Sequence, residues 1–246
     1  NICNISGGDI HHLTSDKNGL SNKTSFYYGF AQDKKSRIWV GSVAGSGIDI
    51  IDEKNGSYQT ISKENGLAST AVDDLIIDDK QRIWISHNDT KVLSVIDQSE
   101  GIIKQLVFAQ GIYNGETNAI FEESKEQVWI SPPGIYLFNE KKESTKRLAF
   151  NKGLSGLAGT FLEDDDGLIW VSTNSGLDII DEKNGTIKHI LLKGITGTEI
   201  ANLLKDQNGN IWIGTTGNGL FMVNTAASTI TSFTETNGLA NEVLYS

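Results

Sequence analysis

The 246-residue sequence has few of the features that mark disulfide-rich, membrane-spanning or nucleic-acid-binding proteins. Cys3 is the single cysteine, so the chain can form no internal disulfide. No run approaches the roughly 18 apolar residues that a membrane-spanning helix needs, and the N-terminus lacks a signal-peptide layout. Such segments, if the full protein has them, lie outside this sequence. The net charge of −10 repels polyanions, which argues against a nucleic-acid partner.

Proline and long helical patterns are also scarce. The two prolines are adjacent, at Pro132 and Pro133, whereas glycine occurs 26 times and hydrophobic residues make up 38% of the chain. No apolar pattern of helical period extends over ten or more residues. The composition is therefore typical of an ordered, turn-rich chain built from strands.

One short sequence motif, or phrase, occurs five times, and its clearest copy reads Ile-Trp-Ile-Gly. It contains every tryptophan of the chain, and the intervals between them are 45, 45, 41 and 42 residues. A constant period of this length indicates a repeat architecture. The apolar neighbours of each tryptophan point to the opposite face of its strand, so we expect both faces to be buried and the tryptophans to be structural anchors. They are Trp39, Trp84, Trp129, Trp170 and Trp212.

Each repeat follows the same order of features around its tryptophan. A Gly-Leu-like marker comes first, then an apolar strand, and an acid stands six residues before the tryptophan, where we expect it to accept backbone N–H bonds in a turn. Gly or Ser two residues after the tryptophan indicates a close backbone approach or a tight packing contact. A third and a fourth strand follow, and the turns at Asn55-Gly56 and Asn184-Gly185 predict two-residue hairpins.

Four short antiparallel strands per repeat predict an all-β fold, a β-propeller of four-stranded blades. We expect residues 1–246 to form one propeller segment with five complete repeats and partial flanking blades, a fragment of a larger propeller. The complete repeats cover residues 19–65, 66–110, 111–152, 153–193 and 194–237, and the partial blades cover 1–18 and 238–246.

The clearest repeat resembles a known family. Asp206, the phrase from Gly209 to Thr215, the pair Gly219-Leu220 and the marker Asn237-Gly238-Leu239 are together similar to the two-component regulator propeller repeat. The third repeat departs from this pattern, with Gln110-Gly111-Ile112 as its marker and two prolines after its tryptophan strand. The resemblance implies a seven-bladed propeller in the periplasmic sensor region of a hybrid two-component system histidine kinase.

Function in such a fold is expected where the repeats differ on a shared face, near the start of each innermost strand and in the turns beside it. The aromatic, amide and carboxylate side chains at these positions suit a polar ligand such as an oligosaccharide, although solvated loop ends without a ligand explain each of them equally well. The candidate residues are Tyr27, Tyr28, Asp73, Asp74, Asn88, Asp89, Tyr113, Asn118, Asn174, Asn202 and Asn218.

Catalytic and metal sites are not indicated by the sequence. The acidic runs at 163–167 and 206–210 coincide with the ordinary turn of the repeat and lack the downstream glutamate of a helical calcium loop. The four histidines fall at unrelated repeat positions, which argues against a zinc site or an acid–base pair. We therefore expect no catalytic residue, no metal and no cofactor.

The resemblance leads us to expect a non-enzymatic sensor of an oligosaccharide, regulating glycan-utilisation genes and located in the periplasm. Its partners would be the remaining blades, downstream sensor domains and a second copy in a homodimeric receptor, without membrane contact by this segment; kinase activity would belong to the full-length protein. Two alternatives stay open: a propeller enzyme of the streptogramin-lyase kind, and a protein–protein interaction scaffold.

Overall fold

The computed structural model consists of two compact units, Asn1–Thr117 and Asn118–Ser246. The residues that it describes are 2–4, 9–11, 27–42, 45–52, 54–90, 92–107, 119–125, 127–131, 135–139, 144–148, 153–156, 158–190 and 200–244. Within these ranges the regular elements are short strands and two single-turn 3-10 helices, at Lys63–Asn65 and Glu235–Asn237.

The first unit contains a short hairpin and two four-stranded antiparallel sheets, in which consecutive strands are neighbours. The hairpin pairs β1 (Ile2–Asn4) with β2 (Asp9–His11). The first sheet comprises β3 (Tyr27–Gln32), β4 (Arg37–Ser42), β5 (Gly47–Asp52) and β6 (Ser57–Ile61). The second sheet comprises β7 (Val72–Ile77), β8 (Arg82–His87), β9 (Val92–Asp97) and β10 (Ile102–Val107).

The second unit contains three sheets of the same topology. The third sheet comprises β11 (Ala119–Glu122), β12 (Val128–Ser131), β13 (Tyr136–Asn139) and β14 (Ser144–Arg147). The fourth comprises β15 (Ala158–Glu163), β16 (Ile169–Thr173), β17 (Gly176–Asp181) and β18 (Thr186–Ile190). The fifth comprises β19 (Ile200–Lys205), β20 (Ile211–Thr215), β21 (Leu220–Asn224) and β22 (Thr229–Phe233).

Within each unit, a sheet packs face to face on the next one along the chain. In the first unit, Trp39 and Ile50 of the first sheet share a core cluster with Leu75, Ile83 and Ile85 of the second sheet. The second strand of the fourth sheet is apolar on both faces because, within the second unit, one face contacts the third sheet and the other contacts the fifth.

The second unit repeats this packing twice. Trp129 of the third sheet lies 6.3 Å from Phe161 of the fourth sheet, measured between ring centroids. Trp170 of the fourth sheet shares a cluster with Leu203 and Ile213 of the fifth. The expected fold class, all-β with four-stranded antiparallel propeller blades, is confirmed in these five sheets.

The acid six residues before each tryptophan caps the turn between the first and second strands. Asp164 accepts the backbone N–H groups of Asp166 and Leu168 at 3.0 and 2.9 Å, and its second oxygen accepts the indole N–H of Trp170 at 2.8 Å. Equivalent indole bonds reach Asp33, Asp78 and Asp206. The predicted turn cap is confirmed at these four aspartates, and the same carboxylate also orients the tryptophan ring. No bond from a backbone N–H to the Glu123 side chain is found among the described residues.

The Asn-Gly-Leu marker forms a capped 3-10 turn that leads into the next sheet. Asn65 Oδ1 accepts the backbone N–H of Ser62 at 2.9 Å, and Gly66 adopts a left-handed φ of 108°. Leu67 is then buried in the core of the unit. Glycine is required at the left-handed position because a side chain there is strained. We call residues 62–71, which join β6 to β7, the connector.

The prediction of two-residue hairpins at Asn55-Gly56 and Asn184-Gly185 is wrong. Asp52 pairs with Ser57 and Asp181 pairs with Thr186, so each turn contains four residues. In each of these two Asn-Gly pairs the glycine has a positive φ and the asparagine does not. The aspartate that ends the third strand stabilises the longer turn, because Asp52 Oδ1 accepts the N–H of Lys54 at 3.0 Å.

No helix among the described residues has the length and apolar character that a membrane crossing requires.

Candidate ligand-binding site

The first strand of four sheets carries a register shift, and in three of these sheets candidate residues lie at the shift. In the first unit the shifts fall between Tyr27 and Phe30 and between Val72 and Leu75. In the second unit they fall between Ala158 and Phe161 and between Ile200 and Asn202. A bulge redirects side chains and is common beside functional sites. We call the end of the sheets where these strands begin, together with the turns between second and third strands, the candidate face of each unit.

The bulges are held by side chains that the repeat keeps small. Ser86, two residues after Trp84, accepts the N–H of Asp74 at 2.9 Å. Ser172 accepts the N–H of Thr160 at 2.8 Å in the same way. The tight contact expected from the sequence is found at Gly41, where a Cβ would lie 2.5 Å from the Val72 side chain. It is not found at Gly214, where the nearest atom to a Cβ would be 3.7 Å away, in Leu244.

Candidate residues of the first unit lie together where β7 and β8 meet. Asp73 and Asp74 occupy the bulge of β7, and Asp74 Oδ1 accepts the N–H of Leu75 at 2.8 Å. Asn88 and Asp89 form the turn after β8, and the Asn88 N–H donates to the carbonyl of Ala71 at 3.1 Å. One oxygen of Asp74 therefore stabilises the bulge, whereas the exposed Asp89 faces solvent.

Candidate residues of the second unit also lie at its candidate face. Asn174 is exposed in the turn between β16 and β17. Asn202 occupies the bulge of β19, and its Oδ1 accepts the N–H of Leu203 at 2.8 Å, as Asp74 does for Leu75. Asn218 is half-buried in the turn after β20, with its N–H donated to Thr215 Oγ1 at 3.0 Å.

Four candidates have no described side chain. Tyr27 and Tyr28 begin β3, of which the backbone alone is described at these two positions. Tyr113 and Asn118 lie outside the described residues. Their assignment to the site stays a prediction.

At the other end of the sheets, polar groups in and beside the turns between first and second strands form hydrogen bonds and ion pairs between neighbouring sheets of the same unit. Gln81 Oε1 accepts the N–H of Lys34 at 2.7 Å in the first unit. In the second unit, Glu163 accepts the N–H of Ser124 at 2.6 Å, and Lys205 Nζ lies 2.7 Å from Asp165 Oδ1. These polar groups therefore stabilise the packing of the sheets. The candidate face is for that reason the better candidate for ligand binding.

Two histidine networks near the candidate face were missed by sequence reasoning. Ser94 Oγ, on the third strand of the second sheet, accepts the N–H of Ala68 at 3.0 Å and lies 2.9 Å from His87 Nε2. Asp178, at the equivalent position of the fourth sheet, accepts the N–H of Ser155 at 2.7 Å and contacts His189 Nδ1 at 2.7 Å. The signal in the sequence was a polar residue inside an otherwise apolar strand.

Burial or hydrogen bonding shifts the pKa of His87 and of two capping acids. Burial lowers the pKa of His87 to about 4, although nearby Asp89 acts in the opposite direction. The hydrogen bonds from the Asn210 side chain and from the Trp212 indole lower the pKa of Asp206 to about 2. Burial raises the pKa of Glu123, the one glutamate at the capping position.

Within the described ranges, no group of three or more His, Cys, Asp or Glu side chains converges in a way that could hold a metal ion. The Asp178–His189 pair is thus an isolated acid–imidazole contact, with the carboxylate buried and the imidazole at the surface.

Solved structures share this fold at low sequence identity. The extracellular domain of a putative hybrid two component system from B. thetaiotaomicron is 21% identical, with a TM-score of 0.76 over 94% of this chain and 33% of that one. A second such domain from the same organism is 20% identical, with a TM-score of 0.72 over 90% of this chain and 31% of that one. This chain spans about a third of the length of those domains.

An enzyme has the same fold. A catalytically inactive variant of virginiamycin B lyase from Staphylococcus aureus, solved with quinupristin, is 18% identical, with a TM-score of 0.73 over 87% of this chain and 71% of that one. Identities at this level establish the fold alone.

The fold is shared by sensor domains and by an enzyme, so sequence comparisons are needed to indicate a family. No curated protein matches the chain. Residues 194–217, which include Trp212 and the phrase around it, match the family described as two component regulator propeller. The resemblance that this phrase indicated is confirmed, and the chain carries a repeat of the two component regulator propeller family.

Proposed function

We propose that this chain is a non-enzymatic ligand-sensing module of a hybrid two-component sensor. The observation that carries the proposal is the two component regulator propeller repeat at residues 194–217. The extracellular domains of hybrid two component systems that share the fold support it. The ligand class that we propose is an oligosaccharide or another small polar molecule, the module lies in the periplasm, and the response is regulation of glycan-utilisation genes.

The arrangement of polar groups supports binding at the candidate face. Carboxylate and amide side chains occur there on bulges and turns, positions that a rigid sheet holds in place. The bulge hydrogen bonds of Asp74 and Asn202 limit backbone movement, so a ligand would meet preorganised groups.

Signal transmission would then follow from a population shift. A ligand that binds one arrangement of the propeller and its neighbouring domains more tightly favours that arrangement, and so biases a homodimeric kinase. The remaining blades and downstream sensor domains are the partners that this mechanism requires.

The test is a thermal-shift screen of the intact ectodomain against glycan fragments, because a ligand that binds only the native state raises Tm. A hit is repeated with Asn174→Ala, in the turn before β17, and with Lys183→Ala, in the turn at the other end of β17. We expect the first variant to lose most of the shift and the second to keep it. No shift across a broad panel would contradict the proposal and favour the scaffold alternative.

A second candidate function is a lyase, favoured by one observation, the 2.7 Å contact between His189 Nδ1 and Asp178 Oδ1. A carboxylate in this position orients an imidazole for proton transfer. The test is incubation of the protein with quinupristin, followed by chromatography. Cleavage that is lost in His189→Ala would support the lyase, and intact quinupristin with the wild-type protein would contradict it.

A further inference from the structure

The connector that leads into the second sheet is held by a chain of hydrogen bonds ending on a buried imidazole. The Ala68 N–H donates to Ser94 Oγ at 3.0 Å, and Ser94 Oγ lies 2.9 Å from His87 Nε2. His87 is fully buried at the end of β8. Its backbone neighbour Asn88 donates to the carbonyl of Ala71, at the other end of the connector.

The closed connector holds the imidazole in a site that suits its neutral form. Ser94 Oγ accepts from Ala68, so its own hydrogen is free to be donated to an unprotonated His87 Nε2. Protonation of Nε2 would make Ser94 turn its hydrogen away and accept from the ring as well as from Ala68. The ring would then carry a charge with no exposure to solvent and with a neutral hydroxyl as the hydrogen-bond partner of Nε2, which is costly unless the connector opens.

The charged groups around His87 do not offset that cost. Asp89, in the turn after β8, favours the protonated ring, whereas Lys63, in the 3-10 turn of the connector, opposes it. At the level of His87, β7 and β9 contribute Val72 and Ser94, which are uncharged. Asp73 and Asp74 are the next charged residues along β7. The carbonyl of Ala71 also favours protonation, but His87 Nδ1 makes no hydrogen bond of normal geometry.

We propose that His87 is a proton-operated lock of the connector: the neutral ring holds residues 68–71 closed against the second sheet, and protonation releases them. The connector runs directly into the bulge of β7, so its release would loosen the backbone that carries Asp73 and Asp74. The proposal concerns local opening and is independent of any ligand.

The fourth sheet provides a matched comparison with a different chemistry. There the N–H of Ser155 is accepted by the carboxylate of Asp178, and the histidine at that carboxylate, His189, lies at the surface. A carboxylate accepts from a protonated imidazole without any rotation. Acid is therefore expected to release the connector at His87 and to leave the Ser155 N–H bond closed.

The lowered pKa determines how much population the closed connector should lose in acid. Burial holds the pKa of His87 at about 4, against an ordinary value of 6.5, so the opened form binds more protons between these limits. Closure is unaffected above pH 6.5 and weakens as the pH falls. The closed state should lose about 20-fold in population relative to the open state between pH 7 and pH 5.

The experiment is hydrogen exchange of the whole chain at several pH values, expressed as protection factors to remove the intrinsic pH dependence of exchange. We expect protection of the Ala68 and Asn88 amides to fall about 20-fold from pH 7 to pH 5. Protection in β16 of the second unit should stay constant and so exclude global unfolding. Constant protection of Ala68 over this range would overturn the proposal.

Three variants sharpen the result. His87→Gln, which has no proton to gain, should abolish the pH response of Ala68, and His189→Gln should leave it intact. Ser94→Ala should lower Ala68 protection at every pH and keep the pH response, because His87 remains buried. A pH response that survives in His87→Gln would contradict the lock. If that variant does not fold, NMR titration of the wild-type ring decides, since a His87 that titrates near the ordinary value refutes it.

Discussion

At the scale of single residues, one carboxylate caps a turn and orients the tryptophan ring in four of the five repeats. Four of the five repeats use aspartate for this, and all four make the indole bond. The third repeat has Glu123, whose Oε2 lacks a hydrogen-bond partner among the described residues, as does Trp129 Nε1. One additional methylene group thus separates a satisfied cap from an unsatisfied one.

Removing a cap should be costly. Asp164→Ala leaves two backbone N–H groups and the Trp170 indole without their acceptor, so we expect a loss of about 2–4 kcal/mol in the free energy of unfolding. Urea denaturation measures it. Asp166→Ala, an exposed position in the same turn, is the control and should change stability by less than about 0.5 kcal/mol. Equal effects of the two variants would refute the assigned role of Asp164.

Repairing the third cap should be favourable. Glu123→Asp brings the carboxylate to the geometry of the other four repeats, and we expect a gain of about 1 kcal/mol from the restored indole bond. Burial raises the pKa of Glu123, so its charged form is disfavoured in the folded protein and its contribution to stability is lost as pH rises. The gain from aspartate should therefore be larger at pH 7 than at pH 4, in paired denaturation curves. A loss of stability at pH 7 would contradict this view.

At the scale of elements, the third strand starts where the end of the fourth strand leaves no space for a side chain. Gly47 has a φ of 92°, and a Cβ there would lie 2.1 Å from the carbonyl oxygen of Ile61. Gly219 meets Phe233 in the same way in the fifth sheet, at 2.2 Å. The glycine before the third strand is therefore a packing requirement as well as a conformational one.

A pair of alanine substitutions separates these two requirements. Gly47→Ala adds a clash with backbone to the left-handed strain, and we expect a loss of at least about 3 kcal/mol. Gly56→Ala meets no atom within 4 Å at a φ of 68°, so strain alone should cost about 1 kcal/mol. Thermal unfolding followed by circular dichroism compares them. Similar losses in both variants would show that the clash is absorbed by local movement.

At the scale of the whole molecule, the fifth sheet of the second unit packs one face on the fourth sheet, and among the described residues its other face is partly exposed. Leu203 is 6% exposed against the fourth sheet, whereas Leu204 is 66% exposed on the other face. The same face carries the stacked pair Trp212 and Phe233, whose ring centroids are 5.5 Å apart. A sheet face of this kind is prone to association.

We expect the isolated chain to self-associate in part through this face. Leu204→Glu should shift sedimentation-velocity profiles towards the monomer, because it places a charge on the apolar face. Thr186→Glu, at an exposed position of β18, makes the same change in net charge and should leave the profile unaltered. If the two variants behave alike, net charge rather than this face controls association.

The period of the tryptophans, the alternation around them and the turn residues determined the fold class, because each of these is a local signal repeated five times. The same signals located the capping acids and the glycine required beside Trp39. The four-residue turns at Asn55 and Asn184 were missed, since the aspartate that ends the preceding strand sets the turn length as much as the Asn-Gly pair does.

The candidate site could be predicted only as a set of positions. Repeat alignment indicated which residues begin the first strand of each sheet. The bulges at Asp74 and Asn202, however, form only when that strand pairs with the second one, where Ser86 accepts the N–H of Asp74. The histidine networks are harder still to predict from sequence. Ala68 and Ser94 are 26 residues apart, and Asp178 contacts His189 on a neighbouring strand. Sequence by itself determined the repeated scaffold, whose signals are local. Tertiary structure alone decided which polar groups meet inside it, because those contacts join residues that only folding brings within hydrogen-bond distance.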